Sequence, residues 1–116
     1  MNNKIVRNIY YYKSYYFNFF KTLKPEVKKK FNWTLQLISV IEHVPDNYFK
    51  HLAGTTGLFE IRVEVGTDIY RVFSFFDEGK LVALINGFQK KSQKIPDKEI
   101  EMAEKLKQEY FYEKEK

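Results

Sequence analysis

The chain has 116 residues, 44% hydrophobic and 30% charged, so it is expected to fold, as one domain over residues 1–116 with a modest core. It has no cysteine, which excludes a disulfide framework and thiolate chemistry and fits a cytoplasmic protein. The net charge of +5 is uneven: residues 1–57 carry nine Lys/Arg against three Asp/Glu, residues 58–116 eleven against twelve. Such a basic bias suits nucleic acid or an acidic protein partner.

The N-terminal stretch MNNKIVRNIYYYKSYYFNFF is interrupted by Asn8, Lys13 and Asn18 and lacks a small-residue cleavage site, which argues against a signal peptide. No apolar run reaches the length of a membrane span, so no membrane partner is expected. Residues 4–12, rich in Ile, Val and Tyr, read as a strand. Residues 15–23 read as a short helix with Ser14 as its N-cap. Pro25 opens a longer helix and Pro45 closes what precedes it. Val27, Phe31, Leu35, Ile38 and Ile41 form one apolar stripe on it, and Trp33, Leu37, Val40 and Val44 a second, so it is expected to be covered on two sides.

The Gly and Thr content of residues 46–57 predicts a loop. Three strands follow: LFEIRVEV with strict alternation, DIYRVFSFF, and KLVALINGFQ, joined by the turn signals GT and DEG into an antiparallel meander. The last helix is expected from about Pro96 to about Tyr110, with Asp97 as N-cap, Ile100, Ala103, Leu106 and Tyr110 buried, and a frayed EKEK tail. The order is strand, helix, helix, strand, strand, strand, helix: an α+β fold with helices on a twisted, mostly antiparallel sheet.

The chemistry concentrates on the meander. A two-residue loop at Gly66-Thr67 places Arg62 directly opposite Arg71. Like charges facing across a ladder are destabilising, unless the two planar donor forks share an anion. A two- or four-residue loop at Asp77–Lys80 then places Asn86 opposite Arg71 and Phe88 opposite Ile69, with Lys90 following on the same face. A three-residue loop at either turn flips the parity of one strand. Lys90, Lys91 and Lys94 precede a helix N-terminus, where cations are unfavourable, which asks for a further anion. A flat ring beside several cations suits an unpaired base and its phosphate.

Plainer readings stand beside these. Arg62 lies between Glu60 and Glu64, as in many exposed charge-mixed strands, whereas Arg71 has no acid next to it in the sequence. The lysines of 90–94 read equally as a solvated connection, and Lys50 and His51 as the start of a loop. Only His43 and His51 are available as imidazole ligands, so no metal site is expected. No nucleophile elbow, phosphate-binding loop or dinucleotide fingerprint is present.

YFKHL before a Gly/Thr loop, then GLFEIR, YRVF, FQKKSQKIP and EIEMA in the last helix, resemble in order and spacing the RelE/HigB-type toxins, specifically the HigB-like, phage-derived branch of the RelE/ParE superfamily. The resemblance covers about residues 46–107 by motif. It implies a RelE/ParE-like fold and a ribosome-dependent mRNA endoribonuclease of a type II toxin–antitoxin module, without metal or small-molecule cofactor. A cognate helix-turn-helix antitoxin would be its partner, and the ribosome and mRNA its targets. Carried onto this chain, the basic site residues are Arg62, Arg71 and the lysines of 90–94, and Arg62, Arg71, Lys90 and Lys91 are the catalytic candidates. Lys50, His51, Asn86, Phe88 and Lys94 are the RNA-contact candidates. The aromatic density of YYYKSYYFNFF departs from the family pattern and hints at a wider hydrophobic contact surface. A ParE-like topoisomerase poison and a non-catalytic antitoxin-binding relative remain the alternatives.

Overall fold

A computed structural model describes residues 4–116. The elements are β1 (Asn8–Tyr11), α1 (Tyr15–Phe20), α2 (Pro25–Val40), β2 (Phe49–His51), β3 (Phe59–Val65), β4 (Asp68–Asp77), β5 (Leu81–Lys90) and α3 (Asp97–Lys114). Five strands form one sheet in the order β1-β5-β4-β3-β2. β1 runs parallel to β5 and every other pairing is antiparallel. The protein is therefore α+β, with three helices on a mostly antiparallel sheet. Among the described residues no helix is long and apolar enough to cross a membrane.

The expected order holds with one addition. β2 lies inside the segment read as a loop, where Phe49 pairs with Ile61 and His51 with Phe59. Three residues are too few to display a period, so only the neighbouring edge of β3 reveals them.

The sheet separates two cores. On one face, α1 and α2 bring Tyr16, Val27, Phe31, Leu35 and Ile38 onto Ile61, Val63, Tyr70, Val72 and Leu84. On the other, α3 brings Ala103 and Leu106 onto Phe73, Phe75, Ala83, Ile85 and Phe88. β4 is consequently buried from Tyr70 to Phe75, on both faces, as a central strand between helical layers must be. Each large apolar side chain so buried contributes about 1.5–3 kcal/mol relative to exposure.

The helix boundaries follow local chemistry. Lys24, extended at φ −67° and ψ 153°, turns the chain into α2, and Pro25 takes the first helical position. Ser14 stands before α1 without a side-chain capping bond; its carbonyl accepts the Asn18 N–H at 2.8 Å. Of the second stripe of α2, Trp33 is exposed and Leu37 and Val40 half-buried, so α2 is covered on one side rather than two. The short α1 reaches only the stripe carrying Phe31, with the Phe19 and Phe31 rings 5.8 Å apart.

That packing requires Gly87. A Cβ there would lie 2.5 Å from Phe19 Cδ2 and 2.9 Å from Cγ, so the ring of α1 rests directly on the β5 backbone.

α3 departs from expectation at both ends. Pro96 occupies the N-cap position, and Asp97 and Glu99 sit in the first turn, where their charge complements the helix dipole. The tail is anchored rather than frayed. Lys114 Nζ lies 2.8 Å from Asp77 Oδ2, and the Tyr110 hydroxyl donates to the same oxygen at 2.7 Å. These contacts tie the end of α3 to the β4–β5 turn. The Lys114 and Tyr110 hydrogen bonds hold the Asp77 carboxyl below its ordinary pKa, and they outweigh the opposing effect of burial.

Two predictions follow from this packing. Gly87→Ala lowers unfolding stability by about 1–3 kcal/mol through the steric conflict with Phe19. In the Phe19→Ala background the same change costs much less, and a urea double-mutant cycle reads the difference. Asp77→Asn removes a group whose folded pKa is depressed. Its contribution is present above the ordinary carboxylate pKa of about 3.9 and is lost as pH falls through the lower folded value. The variant is therefore less stable at pH 7, and its stability falls less steeply than that of the wild type below about pH 4, as thermal melts across pH will show.

Candidate functional site

The β3–β4 turn has two residues, Gly66 and Thr67, between the paired Val65 and Asp68. Gly66 takes φ +62°, as the first central residue of a II′-type hairpin turn requires. Arg62 therefore stands directly opposite Arg71, as the sequence indicates.

The second turn differs. Asp77 pairs with Leu81, so the loop holds three residues, 78–80, with Glu78 and Gly79 both at positive φ. Alone, that would turn Asn86, Phe88 and Lys90 to the other face. A β-bulge reverses it: Val72 pairs with Gly87 and Ser74 with Leu84, leaving Ile85 and Asn86 both opposite Phe73. The two one-residue offsets cancel. Phe88, not Asn86, lies opposite Arg71, and Lys90, not Phe88, opposite Ile69. The face is the expected one, with the pairing displaced by two residues.

On this face one row runs Lys50, Glu60, Phe73; the next Arg62, Arg71, Phe88; the third Glu64, Ile69, Lys90. The shared anion of the two arginines is internal. Glu60 Oε1 lies 3.0 Å from Arg71 Nε and 3.9 Å from Arg62 Nε. No acid neighbours Arg71 along the chain, but Glu60 meets it across the ladder. Glu60 and Arg71 are both buried, with the Arg71 side chain 2% exposed, whereas that of Arg62 is 25% exposed. The Arg71–Glu60 contact is close enough for an ion pair but lies outside hydrogen-bond alignment, so Nε of each arginine is buried without a hydrogen-bond partner. Arg71 Nη1 donates to the Tyr70 carbonyl at 3.1 Å and Arg62 Nη1 to the Asp46 carbonyl at 3.2 Å. Burial first, and the Arg62 charge second, lower the Arg71 pKa, against the opposing effect of Glu60.

The remaining candidates divide. Lys90 and Lys91 line a cleft of about 520 Å³ between the β3–β4 turn and the end of β5, with Thr67, Asp68, Gln89 and Ser92. Lys91 also borders a neighbouring recess with Tyr70 and Gln89. Lys94 is exposed and lies 3.7 Å from Asp97, so the helix that the lysines precede supplies one acid of its own. Lys50 is exposed on the arginine face. His51, one residue on, points to the opposite face, its ring 5.3 Å from that of Phe59.

Asn86 and Phe88 share the expected face but are closed to solvent there. Asn86 Nδ2 donates to the Glu99 carbonyl at 3.2 Å, which docks the start of α3 onto the bulge. Phe88 is 8% exposed and packs against Phe73 at 5.5 Å, leaving no open ring for a base to stack on. Glu60 and Asp68 were not singled out by sequence pattern. Alternation places Glu60 on the arginine face, but burial beside a guanidinium is a property of the packed sheet. Among the described residues no group of three or more His, Asp or Glu side chains is placed to hold a metal ion.

The sequence model described as Phage derived protein Gp49-like (DUF891) matches residues 18–108, well over half of the chain and all of the arginine face. No curated protein matches it.

Removing Arg71 leaves Glu60 buried beside one distant cation. Arg71→Ala is therefore expected to cost about 3–5 kcal/mol of stability, the usual range for a broken buried ion pair. The double change Glu60→Gln with Arg71→Met, which removes both charges, restores much of it. Chemical denaturation of the three proteins separates a paired from an independent role.

Proposed function

Because this chain belongs to the phage-derived Gp49-like family, a RelE/toxin-like family, we propose that it is the toxin of a type II toxin–antitoxin module and a ribosome-dependent mRNA endoribonuclease. In this reading residues 1–116 form one cytoplasmic toxin domain, and a helix-turn-helix antitoxin holds it inactive. The α+β fold supports the kinship, but fold alone does not choose among the activities it hosts. The observation that carries the cleavage reading is the partly exposed Arg62 guanidinium, which donates to the Asp46 carbonyl, on the sheet face that also carries Lys90.

The reaction needs no group beyond protein and RNA. The 2′-oxygen attacks the adjacent phosphorus, and the bond from phosphorus to the 5′-oxygen of the next nucleotide breaks. The products are a 2′,3′-cyclic phosphate and a free 5′-hydroxyl. The phosphorane carries more negative charge than the ground state, so cations placed there favour the transition state. Arg62 supplies a planar fork to two phosphoryl oxygens. Arg71, buried, acts through Glu60 as a positioning residue that fixes the approach of Arg62. Lys90 and Lys91 neutralise the flanking backbone, and an ammonium there returns a proton to the leaving 5′-oxygen. The 2′-hydroxyl proton passes to solvent water. Orientation of the message by the ribosome supplies the remaining advantage.

The test is Arg62→Ala. Arg62 is partly exposed, so its loss should shift stability by no more than about 1 kcal/mol. Cleavage of ribosome-bound message in a translating extract should fall on the order of 100- to 1,000-fold. Arg62→Lys recovers part of the rate, since an ammonium keeps the charge without the fork. Wild-type cleavage by Arg62→Ala would remove the site assigned here. Growth arrest by a wild type that cuts no message would favour a ParE-like topoisomerase poison instead.

A further inference from the structure

Beside Arg62, away from the lysine cleft, lies a second recess of about 240 Å³, bounded by Lys30, Asn47, Tyr48, Arg62 and Glu64. It forms because the backbone N–H of Arg62 binds the Tyr48 carbonyl at 2.9 Å, which brings the segment before β2 against β3 below α2. Trp33 stands next to it. The Trp33 and Tyr48 rings meet edge to face at 5.4 Å, and Lys30 Nζ lies 4.6 Å from the Trp33 ring centre and 5.9 Å from that of Tyr48. Trp33 is 48% exposed although it is the chain's one tryptophan.

Lys30 lies against two rings and Arg62 donates to the Asp46 carbonyl, but the recess keeps hydrogen-bonding groups without partners. Among the described residues, the side chains of Lys30, Asn47 and Glu64 make no hydrogen bond and no ion pair. The Glu64 carboxylate faces the same space as the Arg62 guanidinium, yet Arg62 turns to Glu60 and the Asp46 carbonyl. A cation, an amide, a carboxylate and an aromatic wall thus converge on a space smaller than the ~300–1,000 Å³ of drug-sized ligand sites. That is room for one flat heterocycle.

We propose that the recess bounded by Lys30, Asn47, Tyr48, Arg62 and Glu64 holds a single unpaired guanine of the bound RNA. This rests on the reading of the chain as an RNA-cleaving toxin and adds a base preference to it. The carboxylate decides the base. An ionised glutamate only accepts hydrogen bonds. Guanine offers two adjacent donors, N1–H and the 2-amino group, which a carboxylate meets with both oxygens. Adenine and cytosine each present one amino group beside an acceptor, and uracil a single N–H between two acceptors. Asn47, whose amide both donates and accepts, serves the guanine O6. Tyr48 and Trp33 supply the ring faces and edges on which single-stranded bases are held. Arg62 borders both the recess and the cleavage site, so the guanine would occupy a fixed position relative to the cut.

Trp33 gives a direct readout, since all tryptophan fluorescence comes from it. Short single-stranded RNAs that are 2′-O-methylated at every position, and so cannot be cut, are titrated against the whole chain. They carry guanine, inosine, adenine, cytosine or uracil at one position in an otherwise uniform uracil strand. The guanine strand should quench Trp33 and bind roughly 10- to 100-fold more tightly than the adenine, cytosine or uracil strands, with inosine between because it lacks the 2-amino donor. Glu64→Gln keeps shape and size but replaces one acceptor by a donor; it should bind all five strands alike while retaining quenching. Equal affinity for the five strands, no quenching, or an unchanged guanine preference in Glu64→Gln would overturn the pocket. Guanine-selective quenching by a wild type that cuts no message leaves the pocket standing and removes the endonuclease reading. Cleavage with no base preference does the reverse.

Discussion

One extra residue in β5 governs what the arginine face contains. The bulge at Ile85–Asn86, opposite Phe73, restores the side-chain parity that the three-residue β4–β5 turn had shifted. Without it, Phe88 and Lys90 would turn toward α1 and α2, and Val72 would face Asn86 instead of Gly87. The aromatic core under α3 and the lysine cleft both depend on the same offset. The bulge also turns Asn86 toward Glu99, so the irregularity that sets the register docks the start of α3. Bulges commonly re-aim side chains next to functional sites, and this one does so for a whole strand end.

Charge on that face is arranged rather than accumulated. Glu60 sits between two guanidiniums and cancels one of them, so the centre of the face is far less cationic than its arginine count suggests. A buried pair of this kind is a weak source of stability, because desolvation offsets most of the attraction. Its effect is directional. The Asp46 carbonyl accepts from Arg62, Glu60 lies 3.9 Å from its Nε, and Lys50, Lys90 and Lys91 carry positive charge at the margins. An anion approaching the sheet meets the partly exposed Arg62 fork with ammonium groups around it.

The aromatic excess is largely absorbed by the two cores. Tyr16, Phe19 and Phe31 interlock on one face, and Phe73, Phe75, Phe88 and Tyr110 on the other, with ring separations typical of edge and tilted contacts. A sheet covered on both sides in a chain this short needs large side chains to fill both layers. What remains outside is scattered, with Tyr10 on the edge strand, Phe17 on α1, Tyr112 on α3 and Trp33 on α2. Trp33 has a second aromatic ring and a cation against it, next to the recess that Tyr48 and Arg62 border.

Local pattern was enough to read β3, β4, β5, α2 and most of α3. Alternation, a proline at a helix start and a Gly-Thr hairpin turn act over a few residues and survive without tertiary context. They also determined that Arg62 faces Arg71, since a two-residue turn leaves no freedom of register. Local pattern could not show β2, the bulge, the anchored end of α3 or the anion between the arginines. β2 exists only as the partner of β3, and the bulge only as the fit of two strands pressed between helices. Asp77 and Lys114 meet through a crossing distant in sequence. Glu60 was visible as an alternating polar residue, but alternation does not distinguish a solvated carboxylate from a buried one. That distinction is made by what packs over the sheet, because the balance between desolvation and pairing is set by the environment rather than by the residue. The sequence by itself thus determined that Arg62 and Arg71 face each other, and the tertiary structure decided that Glu60 lies between them and that Arg71 is closed to solvent while Arg62 is not.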